Sequence, residues 1–243
     1  YILVNGIPNL TTDLFSLHYN SKNQSMLPSI FNTVFITFLT LLIAVPIGIF
    51  SAVYLVEYAK KGSKLVKVIR VTTETLAGIP SIVFGLFGFL AFVIALGWGY
   101  SMIAGVLTLV MMVLPTIIRT TEEALLAVPN SYREGSFGLG AGKIRTIFKI
   151  IVPTAIPGIL SGVILAIGRI VGETAALIYT SGTVAETATS LTDSARTLSV
   201  HLYCLLSEGL FTNQAYATAV ILLLLVVGIN ALSNFIAKKL AKK

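Results

Sequence analysis

Charge is what this sequence has least of. Only 11% of its 243 residues are Asp, Glu, Lys or Arg, where a soluble domain carries about 25%. With 56% hydrophobic residues and a mean hydropathy of +0.91, a water-soluble globule is excluded and a polytopic membrane protein is indicated. Cysteine is nearly missing. Cys204 stands alone, so no internal disulfide can form and the thiol says nothing about compartment. His18 and His201 are far apart and have no companion ligands, so no metal site is expected. No nucleophile–base pair is visible, and no catalytic residue is expected. Gly138-Leu-Gly-Ala-Gly-Lys143 looks like a phosphate loop, but Phe137 stands where a Walker A motif needs Gly and Ile144 where it needs Ser or Thr. The glycines also miss the G-x-G-x-x-G spacing of a dinucleotide site. No cofactor is therefore expected, and ATP would have to be bound by a partner.

Long uncharged runs take the place of charge. Residues 1–31 are polar and turn-rich and read as an extramembrane segment. Phe31–Val56 carries no charge and is long enough to cross about 30 Å of hydrocarbon, with Pro46 and Gly48 expected to kink it. Residues 75–118 are also uncharged and fit two spans, broken at Gly97-Trp98-Gly99-Tyr100. Further spans are expected at Ile156–Thr180 and Asn213–Ala237, five in all.

The net charge of +7 would suit nucleic acid, but its distribution explains it otherwise. Loops 57–75 and 119–153 hold five basic residues each and the tail holds four, together 14 of the 17 Lys and Arg. Alternate loops carry the positive charge, as membrane orientation requires. This predicts a multi-pass membrane protein with residues 1–31 outside, the loop 119–153 and the C-terminus in the cytoplasm, and no nucleic-acid partner. Its membrane domain is read as 32–243, with an outer loop at 181–212. The chain begins at Tyr1, with no Met and no signal peptide, and its true N-terminus is expected to lie upstream.

Two stretches stand out. Ser131 and Glu134 have the S-x-x-E spacing of a capping box, which predicts a short helix starting at Ser131. Gly138, Gly140 and Gly142 are expected to stop it. Ile144, Ile147, Phe148 and Ile151 then fall at helical spacing opposite Lys143, Arg145 and Lys149, an amphipathic helix expected at the membrane surface and closed by Pro153. The second stretch is the fourth span, where Arg169 and Glu173 sit four residues apart. Each ionisable group at that depth costs about 2.5–3.5 kcal/mol. At this spacing they would share a helix face with Gly158, Gly162, Ala166 and Ala176. Either the two form a structural ion pair, or Arg169 attracts an anion in transit while Glu173 holds its geometry; the two roles are compatible. Arg119 is either a second anion contact or a positive-inside anchor. Glu122 and Glu123 read as solvated loop charges.

Glu134-Gly135-Ser136, then Gly140, then Ile150, Val152 and Pro153 resemble the E-A-A, three residues, G, nine residues, I-x-L-P signature of ABC-importer permeases. Gly135, Ser136 and Val152 depart from the usual Ala, Ala and Leu. The resemblance implies an all-α type I permease fold whose coupling helix docks on a cytoplasmic ATPase. It assigns that coupling role to Ser131, Arg133, Glu134, Gly135, Ser136, Gly138 and Gly140. Gly168–Leu177 is similar to the R-x-x-G-E-T segment of permeases of the high-affinity phosphate (Pst) importer. Leu114–Leu125, Ala77–Leu86 and Thr197–Tyr203 resemble segments of the same importer's PstA subunits. This implies a place in the bacterial or archaeal cytoplasmic membrane, six transmembrane helices in the complete protein, a PstC-like partner permease, a PstB-like ATPase dimer and a PstS-like external phosphate-binding protein. It also implies phosphate-path roles for Arg119, Arg169 and Glu173. Other readings are a permease for sulfate or molybdate, an ATPase-independent channel or carrier, and a signalling or scaffold role.

Overall fold

The computed structural model describes residues 1–60 and 62–241. Lys61, Lys242 and Lys243, counted among the basic residues above, lie outside the described residues, as do the side chains of Lys238 and Lys239. The described residues are helical, without a strand. A one-turn helix α1 (Ile2–Gly6) and two short turns precede α2 (Leu27–Tyr58). There follow α3 (Lys64–Ala77), α4 (Ser81–Ala95), α5 (Met102–Leu126), α6 (Asn130–Gly138), α7 (Lys143–Val171), α8 (Ala175–Thr180), α9 (Leu198–Glu208) and α10 (Thr212–Ala241). Among the described residues, α2, α5, α7 and α10 are long and apolar enough to cross a membrane, and α3 with α4 makes a fifth if that interrupted pair is one span.

Several boundaries differ from the expected ones. The basic loop after the first span is largely the helix α3, which ends at Ala77, shortly before Pro80 holds the residue preceding it out of the helical region. The next span therefore begins at Ser81 and not at residue 75. The turn at Gly97–Tyr100 is where it was expected. Gly97 and Gly99 both have positive φ, and Phe92 stacks on Trp98 with centroids 5.9 Å apart.

The amphipathic stretch 144–151 is not a separate surface helix but the start of α7, which continues through Pro153 and Pro157. Residues Ile147–Ile151 form a wide π-helical turn. A normal turn would press the Pro153 ring against the carbonyl of Lys149, and a wider one displaces that carbonyl. Ile147 and Ile151 are buried, whereas Ile144 and Phe148 are exposed, so the four do not share one buried face. The fourth span is also broken. α7 stops at Val171, and Gly172, Glu173 and Thr174 separate it from α8.

The chain forms two compact units. The first comprises Tyr1–Leu41, Ile79–Met112 and Ile167–Ile229. Within it Leu14 and Met26 pack with Leu198 of α9 and Ala217 of α10, which ties the N-terminal segment down. Gly85 of α4 lies so close to α8 that a Cβ there would be 2.7 Å from the Cα of Ala176. Backbones this near each other need small residues at the crossing. The second unit comprises Leu42–Gly78, Val113–Ala166 and the chain from Asn230. Its core gathers Leu55 of α2, Ile118 and Leu125 of α5, and Ile147, Ile151 and Ile159 of α7. Gly158 and Gly162 of α7 meet Ala124 and Thr120 of α5, so part of the small-residue stripe does serve helix packing.

Candidate functional site

In the second unit, α6 is held by its own Arg133. No side chain caps the helix, which starts at Asn130 after Pro129, so the expected capping box at Ser131 and Glu134 does not form. Pro129 lies just outside the helix, at φ −56° and ψ 140°, and lacks an N–H that would have had no intrahelical partner. Gly138 is still helical and Gly142 has an ordinary φ. Of the three glycines only Gly140, at φ +80°, has the left-handed conformation that ends a helix.

Ser136 is buried, and its hydroxyl meets that of Thr146 at 2.8 Å. Ser131, Glu134, Gly135, Gly138 and Gly140 are exposed. Beside them Leu139 is 91% exposed and Ile144 67%. Ser131, Tyr132, Gly135, Leu139, Gly140 and Arg145 line an open concavity of about 510 Å³. An apolar projection beside a concavity suits a docking surface better than a solvated turn.

Arg119 of α5, in the same unit, bonds Glu123 at 3.1 Å and approaches Glu74 of α3 at 3.6 Å, all three exposed. Glu122 is not a solvated loop charge. It is buried and forms an ion pair with Arg70 of α3. Glu123 is exposed, as expected, but paired.

Arg169 and Glu173 lie in the first unit and do not form an ion pair, one of the two arrangements their spacing allowed. The i, i+4 geometry needs an unbroken helix, and α7 ends between them. Glu173 is buried; its carboxylate accepts the Ala176 N–H at 3.0 Å and its carbonyl accepts the Ser199 hydroxyl at 2.6 Å. Arg169 is half-buried and has no carboxylate within 4 Å among the described residues.

Sequence reasoning missed the residues that fasten this region. Thr197 meets Ser199 at 3.1 Å, and the Leu198 N–H bonds Thr33 of α2 at 2.8 Å. Buried Asn32 donates to the carbonyls of Glu186 and Arg196 and accepts the Ala188 N–H at 3.0 Å. An uncharged polar side chain at the start of an apolar span was the available clue. His201 is fully buried, with Arg196 donating to its Nδ1 at 3.3 Å. Burial, then the Arg196 charge, lower its pKa to about 4.

Residues 44–243 match the family described as "Binding-protein-dependent transport system inner membrane component". The chain belongs to this family. It is 33% identical to "Probable ABC transporter permease protein YqgI" of Bacillus subtilis (strain 168), over 100% of this chain and 88% of that one. It is 38% identical to "Phosphate transport system permease protein PstA" of Mycobacterium leprae, over 78% of this chain and 62% of that one. Against PstA 1 of Mycobacterium tuberculosis (strain H37Rv), identity is 45% over 58% of this chain and 45% of that one. The alignments with these two mycobacterial PstA proteins thus span less than two thirds of their length.

Among solved structures, the permease fold matches a bacterial alginate ABC transporter with a TM-score of 0.73 at 16% identity, over 100% of this chain and 88% of that chain. It matches the MetNI methionine ABC transporter with a TM-score of 0.66 at 19% identity, over 98% and 96%. The fold is that of a type I ABC-importer permease, and the chain is a multi-pass membrane permease component.

Proposed function

We propose that the chain is the permease subunit through which inorganic phosphate enters the cytoplasm in an ATP-driven importer. The observation that carries this is Arg169, a guanidinium in a membrane-spanning helix with no carboxylate within 4 Å among the described residues. Its planar fork can donate two parallel hydrogen bonds to an oxyanion. Glu173, held by the Ala176 N–H beside the helix break, sets the local geometry and adds a repulsive charge that favours release. Arg119 is the weaker contact because Glu74 and Glu123 already hold it. The relatives named as phosphate transport permeases support the choice of oxyanion.

In this proposal residues 1–31 and the loop 181–212 face outward and receive a PstS-like binding protein, while the C-terminus is cytoplasmic. The loop 119–153 meets a PstB-like ATPase dimer, and a PstC-like permease completes the path. Ser131, Glu134, Gly135, Gly138 and Gly140 present the docking surface; Ser136 and Arg133 support it from within. No cofactor belongs to this chain, since the ATPase binds the ATP, and alternating access about a membrane site needs no covalent step.

The test is labelled-phosphate uptake into proteoliposomes holding this chain, its partner permease and the ATPase, with binding protein outside and ATP inside. Uptake that requires both, and is outcompeted by phosphate but not sulfate, supports the proposal. Uptake without ATP would replace it with a carrier or channel. ATP-driven uptake of another oxyanion would overturn the substrate.

A further inference from the structure

We infer that Arg133 is a positioning residue that clamps α6 to the ends of α2 and α5, so that movement imposed on α6 passes into both spans. The inference rests on the reading of α6 as the ATPase-docking helix. All five N–H donors of the Arg133 guanidinium are used. Nε and Nη2 donate to Glu57 Oε1 at 3.0 and 2.7 Å, Nη2 also to the Leu125 carbonyl at 3.1 Å, and Nη1 to the Val128 carbonyl at 2.9 Å and Asn130 Oδ1 at 3.4 Å.

These bonds join three elements. Glu57 ends α2, Leu125 and Val128 lie at and just beyond the end of α5, and Asn130 opens α6. The Arg133 and Glu57 side chains are only 16% and 10% exposed, so water screens the pair little, and breaking it would leave a charge half-buried without its partner. A second tie runs parallel. The Lys143 ammonium lies 4.7 Å from the centroid of the Tyr58 ring, fixing the start of α7 to the same end of α2. An arginine needed only to bind an ATPase would present its donors outward, and here none is left over.

The experiment compares Arg133→Lys and Glu57→Gln with the parent chain in the full reconstituted complex, measuring labelled phosphate imported per ATP hydrolysed. Lys keeps the charge but lacks the fork, and Gln keeps the shape but not the charge. The expected result is retained capture of the ATPase with a phosphate-to-ATP ratio lowered at least ~5-fold, the low end of usual coupling factors. A purely structural role would reduce the amount of complex and leave the ratio unchanged, which would overturn the inference. Should both variants fail to accumulate, Glu57→Cys with Arg133→Cys in a Cys204→Ser background decides the matter. Bridging the two thiols with a short bismaleimide should restore the ratio, and failure to restore it overturns the clamp. If the parent complex imports no phosphate with ATP, the functional reading itself falls.

Discussion

Two side chains illustrate how position converts an ordinary group into a specific one. Arg169 has no carboxylate within 4 Å among the described residues because α7 ends at Val171 and takes Glu173 out of reach. Replacing it by Ala should lower phosphate uptake at least ~10-fold, equivalent to losing one hydrogen bond to a charged group of about 1.5–3 kcal/mol, with the ATPase still captured. Unchanged uptake at equal membrane levels would return Arg169 to a structural role. His201 carries a prediction about pH. Its folded pKa of about 4 lies below the ordinary 6.5, so the folded state favours the neutral ring. The associated stability is fully present above about pH 6.5 and is lost as pH falls toward 4, on the order of 3 kcal/mol at most. The purified protein should therefore unfold at lower temperature at pH 5 than at pH 7, and His201→Gln should remove much of that difference.

At the scale of the element, helix contacts follow from small residues placed where backbones meet. A Cβ at Gly162 would lie 1.9 Å from Thr120 Oγ1 and 2.7 Å from its Cβ, so a side chain there must push α7 away from α5. Gly162→Val should cost about 1–3 kcal/mol, read as a lowered unfolding midpoint or reduced accumulation; an unchanged midpoint would show that this crossing yields easily. The stripe through Gly158, Gly162 and Ala166 was legible in the sequence because spacing of three and four places residues on one helix face. Its extension to Glu173 and Ala176 was not, because the helix breaks at Gly172–Thr174. The break needs the buried Glu173 carboxylate on the Ala176 N–H and the Ser199 hydroxyl on the Glu173 carbonyl. One of those partners comes from 26 residues away, beyond any local pattern.

For the whole molecule, the exposed concavity beside α6 is the surface that the proposed importer would offer to its ATPase. Gly140→Trp adds a bulky ring at a residue that has open space around it and φ +80°. It should abolish capture of the ATPase on pull-down while the chain still reaches the membrane. Retained capture would remove the docking role from this face. In the folded molecule Leu139 and Ile144 expose apolar surface there, whereas periodicity placed Ile144 on the apolar face of a helix at the membrane surface.

What the sequence determined by itself was the membrane character, the approximate places of the long apolar runs and a short helix near Ser131. Hydrocarbon favours predominantly apolar runs about 20 residues long, and glycine or proline marks where such runs turn, so these properties are written locally. The tertiary structure alone decided which charges meet between elements. Arg133 finds Glu57 at a separation of 76 residues, Arg70 finds Glu122, and Glu173 turns to a backbone N–H and not to Arg169. Such pairings depend on which helix faces are packed together, and that is settled by burial and shape across the folded chain, not by spacing along it.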